Sequence, residues 1–277
     1  MAEYNDLMPA RAIPVLTYHG YNVAGSGYAD NDHVALAEDL AWLAANDWTV
    51  VPLALAVTAL FDDPGIDLPA RAVALTFDDG TDLDWMDVPF GELGMQRGFR
   101  GILEDAARAN PDRVPPQATT FVIACPKARA AMEAGALAHG HCMSEHWWAK
   151  AERSSLMSVG NHSWDHRHPL VVSAEQGGGS FFSVSNIDLA RRQIIHAGQY
   201  IADRSGAWPR LFAYPWGQAS DYLRFEFFPQ YVAEHGCKAA FGTEPEPMHG
   251  GCDRWYLPRY VCGQHWRDPA DLSDILQ

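Results

Sequence analysis

Apolar residues along this chain follow two rhythms. Short runs of apolar and β-branched residues, bounded by Gly, Pro, Asn or Asp, read as buried strands. Segments with apolar residues near i, i+3 and i+4 read as helices. Ile13–His19 predicts a first strand ending in Tyr18-His19-Gly20. A loop rich in Gly, Asn and Asp follows, and Val34, Leu36, Leu40, Trp42 and Leu43 then predict a helix over His33–Asn46, capped by Asn31 or Asp32. Trp48–Leu53 predicts a second strand, and Ala54–Phe61 a helix stopped by Asp62-Asp63-Pro64-Gly65. Arg71–Phe77, filled with apolar and β-branched residues, predicts the next strand. Further strands are predicted at Ala118–Ala124, Met157–Asn161, Leu211–Tyr214, Lys238–Gly242 and Tyr256–Val261. Helices are predicted at Phe99–Ala109, Ala128–Ala138, Ser185–Ala202 and up to Gly236 from Gln230. In Ser185–Ala202, the residues Ile187, Leu189, Ile194, Ile195 and Ile201 are expected to face inward. Gly177-Gly178-Gly179-Ser180 reads as a flexible joint. Strand and helix alternate throughout, with no repeat and no long linker. That pattern argues for an α/β fold whose parallel sheet closes, or nearly closes, into a barrel.

The chemistry gathers at strand ends. The strand from Arg71 stops in Thr76-Phe77-Asp78-Asp79-Gly80. In parallel α/β folds ligands bind at the carboxyl ends of strands. Two adjacent carboxylates repel unless a cation or proton sits between them; the plainer alternative is an Asp-Asp-Gly turn. A second stretch, Val159-Gly160-Asn161-His162-Ser163-Trp164-Asp165-His166, follows its own strand-like lead-in. Its two histidines are four apart, so one helical turn would set both imidazoles on one face. A carboxylate with two imidazoles is a common ligand set for a divalent ion that keeps positions open for water.

With these two stretches in hand, the sequence resembles the polysaccharide deacetylases, the NodB-homology enzymes also called carbohydrate esterase family 4. Leu211-Phe212-Ala213-Tyr214-Pro215-Trp216-Gly217 is similar to that family's third motif, and Val15-Leu16-Thr17-Tyr18-His19-Gly20 resembles the Tyr-His segment of its permuted, poly-N-acetylglucosamine branch. The resemblance runs from about Val15 to about Val261 and implies a distorted (β/α) barrel acting as one catalytic domain over the whole chain, 1–277. It implies metal-dependent hydrolysis of an N-acetyl group on a carbohydrate. Asp79, His162 and His166 would hold one divalent ion, Zn²⁺ first, with Co²⁺, Ni²⁺ or Fe²⁺ as alternatives. Asp78 would be the general base. Family members without the permutation take the leaving amine's proton from a late histidine, for which only His265 is available; the permuted branch places that role on His19. Tyr214, Pro215 and Trp216 would wall the pocket and offer a backbone N–H to the oxyanion. Where many members carry an Arg that orients the base, this chain has Ala213, and Arg259 from a neighbouring strand is the expected substitute.

Composition narrows the partners. The chain has 277 residues, is 48% hydrophobic and carries a net charge of −15, which disfavours nucleic acid and anionic membranes. Its longest apolar stretch, Val50 to Phe61, has about 12 residues against roughly 20 for a span. Acids at Glu3 and Asp6 differ from a signal peptide's basic start, so the chain as written is expected to be cytoplasmic. Five cysteines, an odd number without Cys-x-x-Cys, are expected to be buried reduced thiols. His139, His141, Cys142 and His146 offer an irregular set of metal donors, but the segment with Trp147 and Trp148 reads mainly as a substrate-side loop; His168, His196, His235 and His249 read as ordinary residues. Two other readings stay open: a hydrolase of cyclic imides or ureides on the same fold, and a non-catalytic carbohydrate-binding relative.

Overall fold

The computed structural model describes residues 11–135 and 142–277. Seven parallel strands form its curled sheet: β1 (Val15–His19), β2 (Ala72–Asp78), β3 (Ala118–Val122), β4 (Met157–Asn161), β5 (Leu211–Ala213), β6 (Ala239–Phe241) and β7 (Tyr260–Val261). Their order across the sheet is β6-β5-β4-β3-β2-β1-β7, and Thr49–Val50 pairs with the start of β2. The two edges meet through Leu257. Its N–H donates to Ala240 and its carbonyl accepts from Gly242, both at 2.8 Å, four residues before Val261 pairs with β1. The curl is a barrel with a weak seam, for β4 and β5 share only the pair Asn161 and Phe212.

Residue alternation explains how this sheet builds a site. Every residue of β2 is buried, because helices cover one face and the barrel interior the other. Leu75 and Phe77 point outward into a cluster with Leu16, Tyr18, Phe99 and Leu103. Ala72 and Ala74 point inward, against Ile13, Val15, Phe121 and Phe241. One and two steps of the same period later come Thr76 and Asp78. β1 repeats the sequence of environments, with Val15, then Thr17, then His19. The register pairs Val15 with Ala74, Thr17 with Thr76 and His19 with Asp78. The interior therefore grades from an apolar plug, through a hydroxyl layer (Thr17 and Thr76 oxygens 2.8 Å apart), to ionisable groups at the carboxyl end.

The helix His33–Asn46 expected from periodicity spans Asp32–Ala45, and Asn31 is its cap, accepting from the His33 N–H at 2.9 Å. Asp32 instead accepts from the His19 N–H and the Asn22 amide, fixing the strand end that carries His19. The helix expected at Ser185–Ala202 runs Ile187–Ala190, widens into a π turn over Arg191–His196 and continues Ala197–Ser205. The extra residue in that turn shifts the buried face to Ala190, Gln193, Ile194, Ala197 and Ile201, leaving Ile187, Leu189 and Ile195 half-buried. Gly177–Ser180 is a fixed turn rather than a free joint: Gly178 donates to Ser173, Gly179 to the Arg167 carbonyl, and the Arg167 guanidinium to Gln176 and Ser183. Among the described residues no helix is long and apolar enough to cross a membrane. All five thiols are free, and four are buried.

Candidate active site

Asp78 closes β2 and Asp79 is the first residue beyond it, with φ +72°. That left-handed step turns the second carboxylate away from the strand's alternation, so both acids reach the same mouth. Gly80 continues the turn at φ +67°, where a Cβ would lie 2.5 Å from the Val122 side chain. The other two ligand candidates come from the end of β4. The expected helical turn is absent there: His162 follows the strand directly, and Ser163, His166 and Arg167 all have positive φ. The sharp loop arises because Ser163 N–H bonds the Asn161 side chain, His166 N–H the Ser163 hydroxyl and Arg167 N–H the Asp165 carboxylate. These short polar side chains satisfy the backbone locally and displace the helix. The loop still brings the two imidazoles together, with ring centroids 5.0 Å apart.

Asp79 Oδ1 lies 3.6 Å from Nε2 of His162 and 3.6 Å from Nε2 of His166. These separations are too long for hydrogen bonds. Two ligand atoms bound to one ion at about 2.0–2.2 Å and near-tetrahedral angles would lie about 3.3–3.6 Å apart. His162 Nδ1 donates to the Ala213 carbonyl at 2.9 Å, which fixes the tautomer that leaves Nε2 as a lone-pair donor. Burial pushes His166 well below the usual imidazole range, toward the neutral form a ligand needs. All three residues are buried, and one oxygen and two nitrogens from them lie within 4.8 Å of one another. The residues present fit a borderline divalent ion.

Asp78 makes a different set of contacts. Arg259, fully buried, binds it two-pronged: Nη1 to Oδ1 and Nη2 to Oδ2, each at 2.8 Å. Its Nε donates to Gly242, and Nη1 also reaches the Thr76 hydroxyl. Burial alone would raise the Asp78 pKa, but the Arg259 charge and hydrogen bonds, with His162 and His19, hold it well below the usual carboxylate range. Arg259 is thus the guanidinium partner of Asp78, in a chain with alanine at position 213.

Above these groups lies a cavity of about 360 Å³, lined by His19, Tyr21, both acids, both imidazoles, His168 and the Trp216–Gly217 turn among others. His19 reaches it; His265 does not line it, and its Nδ1 accepts the Val261 N–H at 2.8 Å. Trp216, 41% exposed at φ +55°, sets its ring edge-on to His166 at 4.4 Å. Tyr214 and Pro215 lie behind this wall rather than on it. The Tyr214 ring is in the core and its hydroxyl donates to the Trp255 carbonyl at 2.9 Å. Pro215 is buried too and sets the turn. Sequence reasoning missed Tyr21, which lines the cavity with Asp79; the Asp79 charge raises its pKa well above the ordinary phenol value. Its place two residues beyond the strand-end histidine was the available signal. His168 was read as ordinary and lines the cavity. Behind the site, Asp84 is fully buried between the Thr120 and Thr81 hydroxyls and is pushed well up by burial. Of the donor set His139, His141, Cys142 and His146, the first two lie outside the described residues.

No family model and no curated protein matches the sequence. Solved structures do. A Streptococcus pyogenes deacetylase, PplD, in complex with acetate aligns with a TM-score of 0.65 at 17% identity, over 97% of this chain and 99% of that one. A de-N-acetylase from Aggregatibacter actinomycetemcomitans gives 0.64 at 15%, over 95% and 99%. IcaB from Ammonifex degensii gives 0.61 at 17%, over 96% of each. The chain has the fold of the polysaccharide deacetylases, as its four motifs led one to expect.

Proposed function

We propose that this chain, as one catalytic domain, is a metal-dependent hydrolase that removes N-acetyl groups from a carbohydrate. The observation that carries the reading is the unequal treatment of two neighbouring acids: Asp79 converges with two imidazoles at 3.6 Å, while Asp78 is clamped by Arg259 at 2.8 Å. Asp79, His162 and His166 would hold the ion. The chemistry available from a divalent ion there is Lewis acidity, which polarises an amide carbonyl and acidifies a water molecule. Asp78, kept ionised, accepts the proton of the attacking water at a carboxylate oxygen, and Arg259 fixes that carboxylate's plane. His19, paired across the sheet with Asp78, delivers a proton to the departing nitrogen. The N–H of Trp216 is our candidate donor to the oxyanion.

A binding module has no use for a buried, ionised base, which weighs against the non-catalytic reading. A small enclosed amide fits less well than a saccharide. The cavity shares His19, Tyr21, Val261 and Gln264 with a second, mostly polar cavity of about 480 Å³, giving room for neighbouring sugar units. Deacetylase neighbours support the same substrate class. The test is release of acetate and free amine from N-acetylglucosamine oligomers by the zinc-loaded chain. Asp78→Asn is expected to lose roughly 10²–10⁴-fold of that rate; activity that survives Asp78→Asn undiminished would refute the mechanism.

A further inference from the structure

The cavity has two ends of opposite chemistry. Toward β1 and β7 it is bounded by His19, Tyr21, Gln264 and Val261, the four residues shared with the second polar cavity. Toward the elements that follow β3 it is bounded by Met132 and Met143. β2, which ends in Asp78 and leads directly into Asp79, stands between β1 and β3 in the sheet, so the acids lie between these two ends. Met132 comes from the helix Pro126–Gly135 and Met143 from the segment before Trp147. Both are buried, at 7% and 2% exposure, in an apolar cluster with Ile123, Ala128 and Cys142.

This wall is fixed in place. Arg129 donates to the Met143 carbonyl at 2.6 Å, and the Met143 N–H donates to Glu133 at 2.6 Å. The next residue, Ser144, donates its N–H and hydroxyl to Asp82 at 3.1 and 2.6 Å. The Asp82 N–H in turn donates to the Cys142 carbonyl at 2.6 Å. The segment is therefore bolted to the turn that begins three residues earlier with Asp79. Its backbone polar groups are spent on these bonds, and what it presents to the cavity beside the candidate metal ligands is apolar.

We infer that Met132 and Met143 form the seat of the substrate's acyl group and set the length of acyl chain the enzyme accepts, the sugar extending the other way toward Gln264. The inference rests on the deacetylase reading above and names the part of the substrate each end of the cavity receives. An acyl carbon turned away from the hydroxyl-rich sugar needs a dry wall, and a methyl group gains by apolar burial there. Each added methylene in such a pocket changes kcat/KM by about 10–200-fold. Methionine is flexible, so the limit on length is graded rather than absolute.

The experiment compares kcat/KM of the zinc-loaded chain on N-acetyl, N-propionyl and N-butyryl forms of one glucosamine oligomer. The wild type is expected to favour acetyl over butyryl by at least tenfold. Met143→Ala and Met132→Ala are each expected to raise the butyryl-to-acetyl ratio by about tenfold or more, and Met132→Phe to lower the propionyl-to-acetyl ratio. Using variants on two separate elements keeps the test decisive if Met143→Ala does not fold. Wild-type hydrolysis of the acetyl substrate with a ratio unmoved within twofold in every folded variant would overturn the acyl seat alone. No hydrolysis of any acyl form by the wild type would instead overturn the deacetylase reading, and the seat with it.

Discussion

Asp78 carries its charge in a place where an unpaired carboxylate would not stay ionised, and Arg259 is the reason. Removing one partner of such a buried pair costs about 3–5 kcal/mol, because the other charge is left uncompensated. Arg259→Met is expected to lower the free energy of unfolding by about that much at pH 7, measured in urea. The sign with pH follows from the shift. The folded pKa of Asp78 is depressed, so its contribution is present above the ordinary carboxylate value near 4 and is lost on acidification below it. In Arg259→Met that pKa should rise, so an acid limb should appear in kcat/KM above pH 5 that the wild type lacks; identical profiles would argue against Asp78 as base. Asp39 shows the opposite sign. It is buried among the hydroxyls of Tyr18 and Tyr28 and the Trp266 indole N–H, and burial pushes its pKa up to about 6 despite those bonds. Its contribution is full below about pH 4 and is lost as pH rises through 6. Asp39→Asn should flatten the pH dependence of stability between 4 and 6; an unchanged slope would show that another group carries it.

At the scale of elements, what was legible in the sequence was what local periodicity controls. β2 was readable because a strand buried on both faces is a continuous apolar run, and its stop at Asp78-Asp79-Gly80 marked the site. The partnership of Arg259 with Asp78 was readable only as a gap to be filled, since it joins residues 181 apart in sequence. The loop from His162 to His166 was misread as helical because spacing alone does not register the Asn161, Ser163 and Asp165 side chains that cap its backbone. Tyr214 was misplaced for a related reason: the motif fixes a turn, and the turn puts Trp216 forward while Tyr214 stays in the core. The π turn at Arg191–His196 leaves no mark in a 3.6-residue pattern. The segment leading to Trp148 is held by Glu145, which binds Arg129, Tyr200 and Arg204. Glu145→Ala is expected to destabilise by roughly 2 kcal/mol and to weaken substrate binding through the released Met143 wall; a stability change near zero would mean that Asp82, Glu133 and Arg129 hold the segment without Glu145.

Across the whole molecule, an acidic chain of net charge −15 concentrates two carboxylates and four histidines around one cavity at the carboxyl end of a parallel barrel. The fold shared with the deacetylases accounts for where the cavity sits, and the grading from apolar plug to hydroxyl layer to charged mouth accounts for what lines it. Everything proposed about catalysis turns on whether Asp79, His162 and His166 act as one ligand set. A bound ion stabilises the folded chain in proportion to RT ln(1 + [L]/Kd), so loading should also raise the unfolding temperature. The most direct measurement is calorimetric titration of the metal-stripped chain with Zn²⁺, wild type beside His162→Ala. The expected result is about one ion per chain for the wild type, with affinity lower by 100-fold or more in His162→Ala. No binding by the wild type, or equal binding by the folded variant, would contradict the account.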